Sequence, residues 1–224
     1  MTSSSSLNRT TEPETISARG DALEYEAIDH AEANAAFAAL LTGELGFRGG
    51  KLLDLGTGPG DIPVAVCRLT EDAKVTAVEM SAPMTELATE KIARAGFAGR
   101  IVLLRADAKD TKLPGNSFDF VVCNNLVHHI AEPELLFREI ARLCRPGAGL
   151  LLKDLRRPDT LDELNAQAAH CAASTPRQRE LLRSSLHAAL RVEEIEVYAR
   201  EAGLTDFTLA AAGPRHWELR RRQA

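Results

Sequence analysis

Leu52-Leu53-Asp54-Leu55-Gly56-Thr57-Gly58-Pro59-Gly60-Asp61-Ile62-Pro63 decides the fold of this chain. An apolar run closes on an acid, three glycines follow at alternate positions, and a helical pattern begins at once. The stretch reads as a buried strand, a tight turn and a helix start, the unit that α/β proteins use against nucleotide-like ligands. Glycines there allow positive φ and close backbone approach. Asp54 makes the reading more specific. A dinucleotide turn sets free amides and a helix N-terminus against a pyrophosphate, which a carboxylate would repel. An acid two residues before the first glycine suits a ligand carrying positive charge.

The downstream strands repeat the theme. Lys74 to Val78 ends in Glu79, about 20 residues past the turn, where an acid commonly chelates ribose hydroxyls. Ile101 to Leu104 leads to Asp107-Ala108, and Phe118 to Cys123 leads to Asn124-Asn125. Acids or amides therefore close four successive apolar strands, and in a doubly wound sheet those ends line one crevice.

These residues resemble the class I S-adenosylmethionine (SAM)-dependent methyltransferases. The likeness rests on LDLGTGPG at 53–60, VEMS at 78–81, ADAKDTKLPGNSFDFVVCNNLVHHI at 106–130 and REIARLCRPGAGLLLKDL at 138–155. It implies an α/β fold: a doubly wound, mostly parallel seven-stranded Rossmann-like sheet, with helical additions at the N-terminus and after strand five. It also implies SAM as cofactor. Asp54 would face its amino-acid end and Gly56, Thr57, Gly58 and Gly60 its backbone cradle. Glu79 would take the ribose, Met80 an adenine face, Asp107 and Ala108 the adenine edge, and Asn124 the ammonium.

Methyl transfer from a sulfonium needs collinear positioning more than dedicated acid–base groups. A base helps where the acceptor carries a proton. His129 and His128 follow strand four, where an imidazole titrating near neutrality could take that proton. Adjacent residues are expected to point apart, and no HxxxH or CxxC spacing occurs, so no metal site is expected. Substrate contacts are expected from Tyr25 and His30 on a leading helix, from Asn125, from Arg156 and Arg157 after strand five, and from Ser185 and His187.

Residues 1–20 are polar and low in complexity and read as a disordered arm. Residues 21–224 are expected to form one methyltransferase domain, in which about 156–190 interrupts the strand–helix alternation as a helical lid. Expected strands lie near 51–55, 74–79, 101–105, 118–124, 148–154, 204–210 and 216–221. Helices are expected within 24–45 and near 60–70, 83–96, 133–144 and 192–202. Pro146-Gly147 is expected to stop the helix over 133–144.

Bulk properties narrow the partners. The 224 residues are 45% hydrophobic and 4% aromatic, so one core of Leu, Ala, Ile and Val is expected. A net charge of −5 argues against a nucleic-acid footprint. Cys67, Cys123, Cys144 and Cys171 lack paired spacing and read as reduced thiols of a cytoplasmic protein. No apolar run is long enough to span a bilayer, so no membrane partner is expected. The first 45 residues or the 156–190 region could form a homodimer face.

The function expected is methyl transfer to a small-molecule acceptor. Methylation of protein or RNA is the alternative. The Asn/Asp-Pro-Pro-aromatic tetrad of nucleobase and glutamine N-methyltransferases is absent, since Asn124-Asn125-Leu126-Val127 stands there. A SAM-binding module without transfer is a third possibility. A nicotinamide-dependent oxidoreductase is disfavoured by Asp54 and Asp107-Ala108.

Overall fold

The computed structural model describes residues 7–169 and 175–224. Strands β1 (Gly49–Leu55), β2 (Asp72–Glu79), β3 (Ile101–Arg105), β4 (Phe118–Asn124), β5 (Cys144–Leu155), β6 (Thr208–Ala212) and β7 (His216–Arg221) form one sheet in the order β3-β2-β1-β4-β5-β7-β6. The first five run parallel and β7 runs antiparallel to both neighbours. The order reverses between β1 and β4. This switch point opens a crevice beyond the carboxyl ends, where the glycine turn lies.

Period-two alternation assigns each strand residue to a face. Leu53, Leu55, Val121, Cys123, Leu150 and Leu152 bury on one side, with Leu136, Phe137 and Ile140 of α5 (Pro133–Leu143) and Ile195 of α8 (Val192–Glu201). Leu52, Phe120, Val122 and Leu151 bury on the other. There they meet α2 (Ala31–Thr42), α3 (Asp61–Leu69) and α4 (Ala82–Arg94). Helix α1 (Arg19–Glu26) sets Ala22 against Met84 and Leu87 of α4. Ser81 caps α4 by accepting from the Met84 amide, with Pro83 in the first turn.

Two expectations are corrected. Pro146 and Gly147 follow the helix end as expected, but they lie inside the next strand rather than before it. Helix α5 already ends at Leu143, and β5 starts at Cys144 and runs through both, with a register shift opposite Phe118 and Phe120. Gly149 is required further along this strand, because a Cβ there would lie 2.0 Å from the Phe120 ring.

The arm departs more sharply. Residues 1–6 lie outside the described residues, but from Leu7 onward the arm is engaged rather than free. The Leu7 amide donates to Asp159 O. Arg9 donates to the carbonyls of Ala188, His128 and Ile130. Glu14 pairs with Lys109 and accepts from the Ala131 amide, while Ser81 Oγ donates to Ile16 O. The arm crosses the carboxyl edge as a strap.

The 156–190 region forms α6 (Leu161–Ala169) and α7 (Pro176–Ala188), with 170–174, including Cys171, outside the described residues. Leu164, Leu186 and Ala189 bury with Leu155 and with Leu7 of the arm, so these helices support the strap. Thr175 and Gln178 close α7 with a capping box. Cys67, Cys123 and Cys144 are buried free thiols. Among the described residues no helix is long and apolar enough to cross a membrane.

Candidate functional site

The crevice at the switch point is floored by the glycine turn. Gly56, Gly58 and Gly60 all have left-handed φ, at 70°, 54° and 85°. The Gly56 and Thr57 amides donate to Val78 O, tying the turn to β2. A Cβ on Gly56 would strike Leu126, whereas one on Gly58 would meet nothing within 4 Å. The first glycine admits a packed side chain, and the second leaves open space at the crevice.

The walls are Glu14, Thr15 and Ile16 of the arm, Tyr25, His30 and Asn34 of the leading helices, and the turn from Asp54 to Ile62. Glu79, Ser81 and Met84 add the β2 side, and Asn124, Asn125, Leu126 and His129 the β4 side. Four of these are acids (Glu14, Asp54, Asp61 and Glu79) and none is Lys or Arg.

Asp54 is 1% exposed and its Oδ2 has no hydrogen-bond partner. Burial pushes its carboxyl up to about 7, with Thr57 opposing and the Glu79 charge adding to the rise. A buried acid without a partner is costly when ionised, so a cation supplied by a ligand would relieve it. Thr57 Oγ1, His30 Nε2 and Asn125 Oδ1 on the same walls also lack hydrogen-bond partners. Such clustering of unsatisfied polar atoms calls for a polar occupant.

Glu79 accepts from the Gly58 amide at 2.9 Å and the Ser81 amide at 2.8 Å. These bonds fix its carboxylate at the rim and leave acceptor capacity on both oxygens. Asn124 and Asn125 end β4 on the wall, Asn125 with φ 55° and its amide donating to Lys153 O. Burial pushes the Tyr25 hydroxyl up to about 12, aided by Asp61, Asp154 and Glu79. The ring lies 5.5 Å from that of His30.

Several expected residues stand elsewhere. Met80 is half-buried off the wall, and Met84 with Ile16 offers the apolar surface instead. Asp107 is held by Lys109, its carboxylate accepting from that amide at 2.8 Å and pairing with the ammonium at 3.2 Å. Ala108 is buried in the core. Gly60 caps α3 behind the turn.

Arg157 is not a substrate clamp. It is 3% exposed, and its guanidinium is spent on Leu7 O, Ala189 O and Glu194. Arg156 pairs with Leu190 as a bridge and its amide bonds Arg215 O, off the crevice wall. Ser185 Oγ donates to Glu12, and His187 Nε2 lies 3.4 Å from Thr10 Oγ1. Both serve the strap. Spacing gave no hint of this, because the partner is a polar segment with no periodicity.

The histidine pair lies on a 3-10 turn, Val127–His129, and its rings are 4.1 Å apart rather than on opposite sides. His128 is buried. Its Nδ1 sits 2.5 Å from Asp154 Oδ1, and Asp154 also accepts from the Val127, His128 and Leu155 amides. Burial lowers the His128 imidazole, but the Asp154 charge and hydrogen bond, with Glu12, outweigh it and hold the imidazole above its usual value. Asp154 is pulled upward by burial and held below its usual range by His128 and the Leu155 amide. His129 reaches the crevice. Asp154 and the arm's Glu12 went unnoticed as partners of this pair; Asp154 was visible as an acid ending an apolar strand.

Residues 53–152 match the family described as Methyltransferase domain. The chain thus carries a methyltransferase domain and is similar to the class I SAM-dependent methyltransferases in sequence and in fold. It is 32% identical over 165 residues to the 27-O-demethylrifamycin SV methyltransferase of Amycolatopsis mediterranei, covering 73% of this chain and 57% of that protein. It is 30% identical over 137 residues to the ubiquinone/menaquinone biosynthesis C-methyltransferase UbiE of Cronobacter sakazakii, covering 60% and 54%. The chain thus spans little more than half the length of these curated relatives. A proposed SAM-dependent methyltransferase from Methanococcus maripaludis shares the fold at TM-score 0.74 and 20% identity, over 96% of this chain and 98% of that one.

Proposed function

We propose that this protein transfers a methyl group from SAM to a small-molecule acceptor by in-line displacement. The observation that carries the proposal is the charge of the crevice: four acids, no Lys or Arg, and a buried Asp54 with a free oxygen. A pyrophosphate would be repelled there, whereas an ammonium and a sulfonium are attracted. Asp54 receives the ammonium, with Asn124 beside it. Gly56, Thr57 and Gly58 admit the amino-acid chain, Glu79 takes the ribose hydroxyls, and Met84 and Ile16 flank the base.

The acceptor enters from the side of Tyr25, His30, Asn125 and His129, and its proton, where it has one, leaves toward the histidine pair. The relatives named above act on small molecules by their names, which favours that class of acceptor. The cavity measures about 100 Å³, below the ~300–1,000 Å³ of typical ligand sites. On this reading the wall of Glu14, Thr15 and Ile16 moves outward to admit the cofactor, and the strap acts as the gate. The test is a screen of thiol, phenol, amine and carboxylate acceptors with methyl-labelled SAM. Label transfer to one class supports the proposal, and cofactor binding without transfer to any acceptor contradicts it.

A further inference from the structure

Among the described residues, one group of three His, Cys, Asp or Glu side chains converges closely enough to hold an ion: Glu12, His128 and His129. Glu12 Oε1 lies 3.0 Å from His129 Nδ1 and 3.5 Å from His128 Nε2. A tetrahedral ion with ligand bonds of ~2.0–2.1 Å has edges of about 3.3 Å. The two separations from Glu12 bracket that value, and the three ligand atoms lie within 4.8 Å of one another.

The surroundings favour coordination. Asp154 Oδ1 engages His128 Nδ1 at 2.5 Å. In the neutral imidazole this puts the proton on Nδ1 and the lone pair of Nε2 toward Glu12. A carboxylate oxygen and an imine nitrogen then face each other at 3.5 Å, an arrangement that either a proton or a metal ion between them relieves. Carboxylate, imidazole and ion in line is the usual support of a metal-bound histidine. His129 Nδ1 is buried, and Glu12 Oε1 is the partner that the structure gives it. Ser185 Oγ donates to Glu12 Oε1 and steadies it. Glu12 and Asp154 carry two negative charges here, and Arg9, bonded to His128 O and Ile130 O, carries one positive charge. With neutral imidazoles the cluster is net negative.

The geometry points to a divalent transition-metal site formed by Glu12, His128 and His129, with Asp154 behind His128 and the remaining coordination position free for a ligand. Two imidazoles and one carboxylate suit Zn²⁺ or a similar ion and disfavour Mg²⁺, which prefers oxygen. The site joins the strap to the turn after β4, so the ion would clip the gate shut beside the acceptor end. The ligand assignment rests on side-chain geometry alone and stands whether or not methyl transfer is the reaction.

The test uses the full chain, treated with chelator and dialysed. Zn²⁺ is titrated by calorimetry and Co²⁺ by visible absorption, with SAM binding measured on the same samples. The expected result is one saturable Zn²⁺ site with micromolar or tighter affinity, and intense tetrahedral Co²⁺ bands. Glu12→Gln and His129→Gln each weaken it at least tenfold while the circular dichroism stays native. Asp154→Asn weakens it ~10–100-fold. Trypsin cleavage after Arg9 slows when Zn²⁺ is bound to the wild type and does not slow in Glu12→Gln. Absence of saturable binding in the folded wild type overturns the proposal, because a proton then fills the position assigned to the ion. Wild-type affinity retained in both Glu12→Gln and His129→Gln overturns it too, since the ion then binds elsewhere. Failure of SAM to bind while Zn²⁺ binds counts against the methyl-transfer reading alone.

Discussion

Asp154 Oδ1 lies 2.5 Å from His128 Nδ1, and the two side chains are 1% and 6% exposed. The same carboxylate accepts three backbone amides, so one buried acid fixes both the imidazole and the turn that carries His129 to the crevice. Removing one partner of such a pair costs far more than an exposed salt bridge contributes.

Asp154→Asn is expected to destabilise the fold by ~3–5 kcal/mol. The pH dependence has a definite sign. The Asp154 value is lowered, so its stabilisation is present above the ordinary carboxylate value of 3.8 and is lost as pH falls through the folded value. The His128 value is raised, so its contribution is full below the ordinary 6.5 and is lost as pH rises through the folded value. Urea unfolding should show the wild-type advantage over Asp154→Asn greatest between these two values.

Asp54 behaves oppositely. Its folded value of about 7 stands above the ordinary 3.8. Relative stability is therefore full below the lower value and falls as pH rises toward the upper one, by up to ~4 kcal/mol. Asp54→Asn should raise the melting temperature of the ligand-free protein at pH 8, with little gain at pH 4, and weaken SAM binding at both. A stabilised variant with unchanged SAM affinity would detach Asp54 from the ligand.

Glu79→Ala should weaken SAM binding by ~1–3 kcal/mol through loss of a charge-assisted pair to the ribose. It also frees the Gly58 and Ser81 amides, so the melting temperature should fall as well. Adenosine-free analogues would show no such loss of affinity if the ribose is the partner.

The strap should set the rate of cofactor entry. Glu14→Gln removes the ion pair with Lys109 and weakens the bond from the Ala131 amide. SAM association in stopped flow is expected to speed up several-fold, with a smaller change at equilibrium. Unchanged association would mean that the wall does not move.

The sheet was legible because its signal is local and periodic. Leu52 to Leu55 and Phe120 to Cys123 alternate between two cores, and the glycine turn carries its own conformational demand. The early start of β5 was not legible, because Pro146-Gly147 reads as a break although such residues also occur in an irregular strand entry, and only the pairing of β5 with β4 shows it. The strap was illegible because Arg9, Glu12 and Glu14 act through contacts more than 90 residues distant in sequence, and no period marks them. Arg157 looked like a substrate clamp for the same reason, since its acceptors are carbonyls that only the fold brings near.

His129→Ala should lower turnover on the acceptor that the screen identifies, with SAM affinity close to that of the wild type. The ring is assigned to the acceptor and Asp54 to the cofactor on the walls of one crevice, so the two parameters should separate. Equal loss of both would place His129 in the cofactor site.

The central claim is that the acidic crevice binds SAM, and calorimetry with SAM, S-adenosylhomocysteine and NADH on the folded full chain tests it most directly. Micromolar binding of the two adenosyl amino acids with no binding of NADH is the expected result. Binding of NADH, or of none of the three, would contradict it.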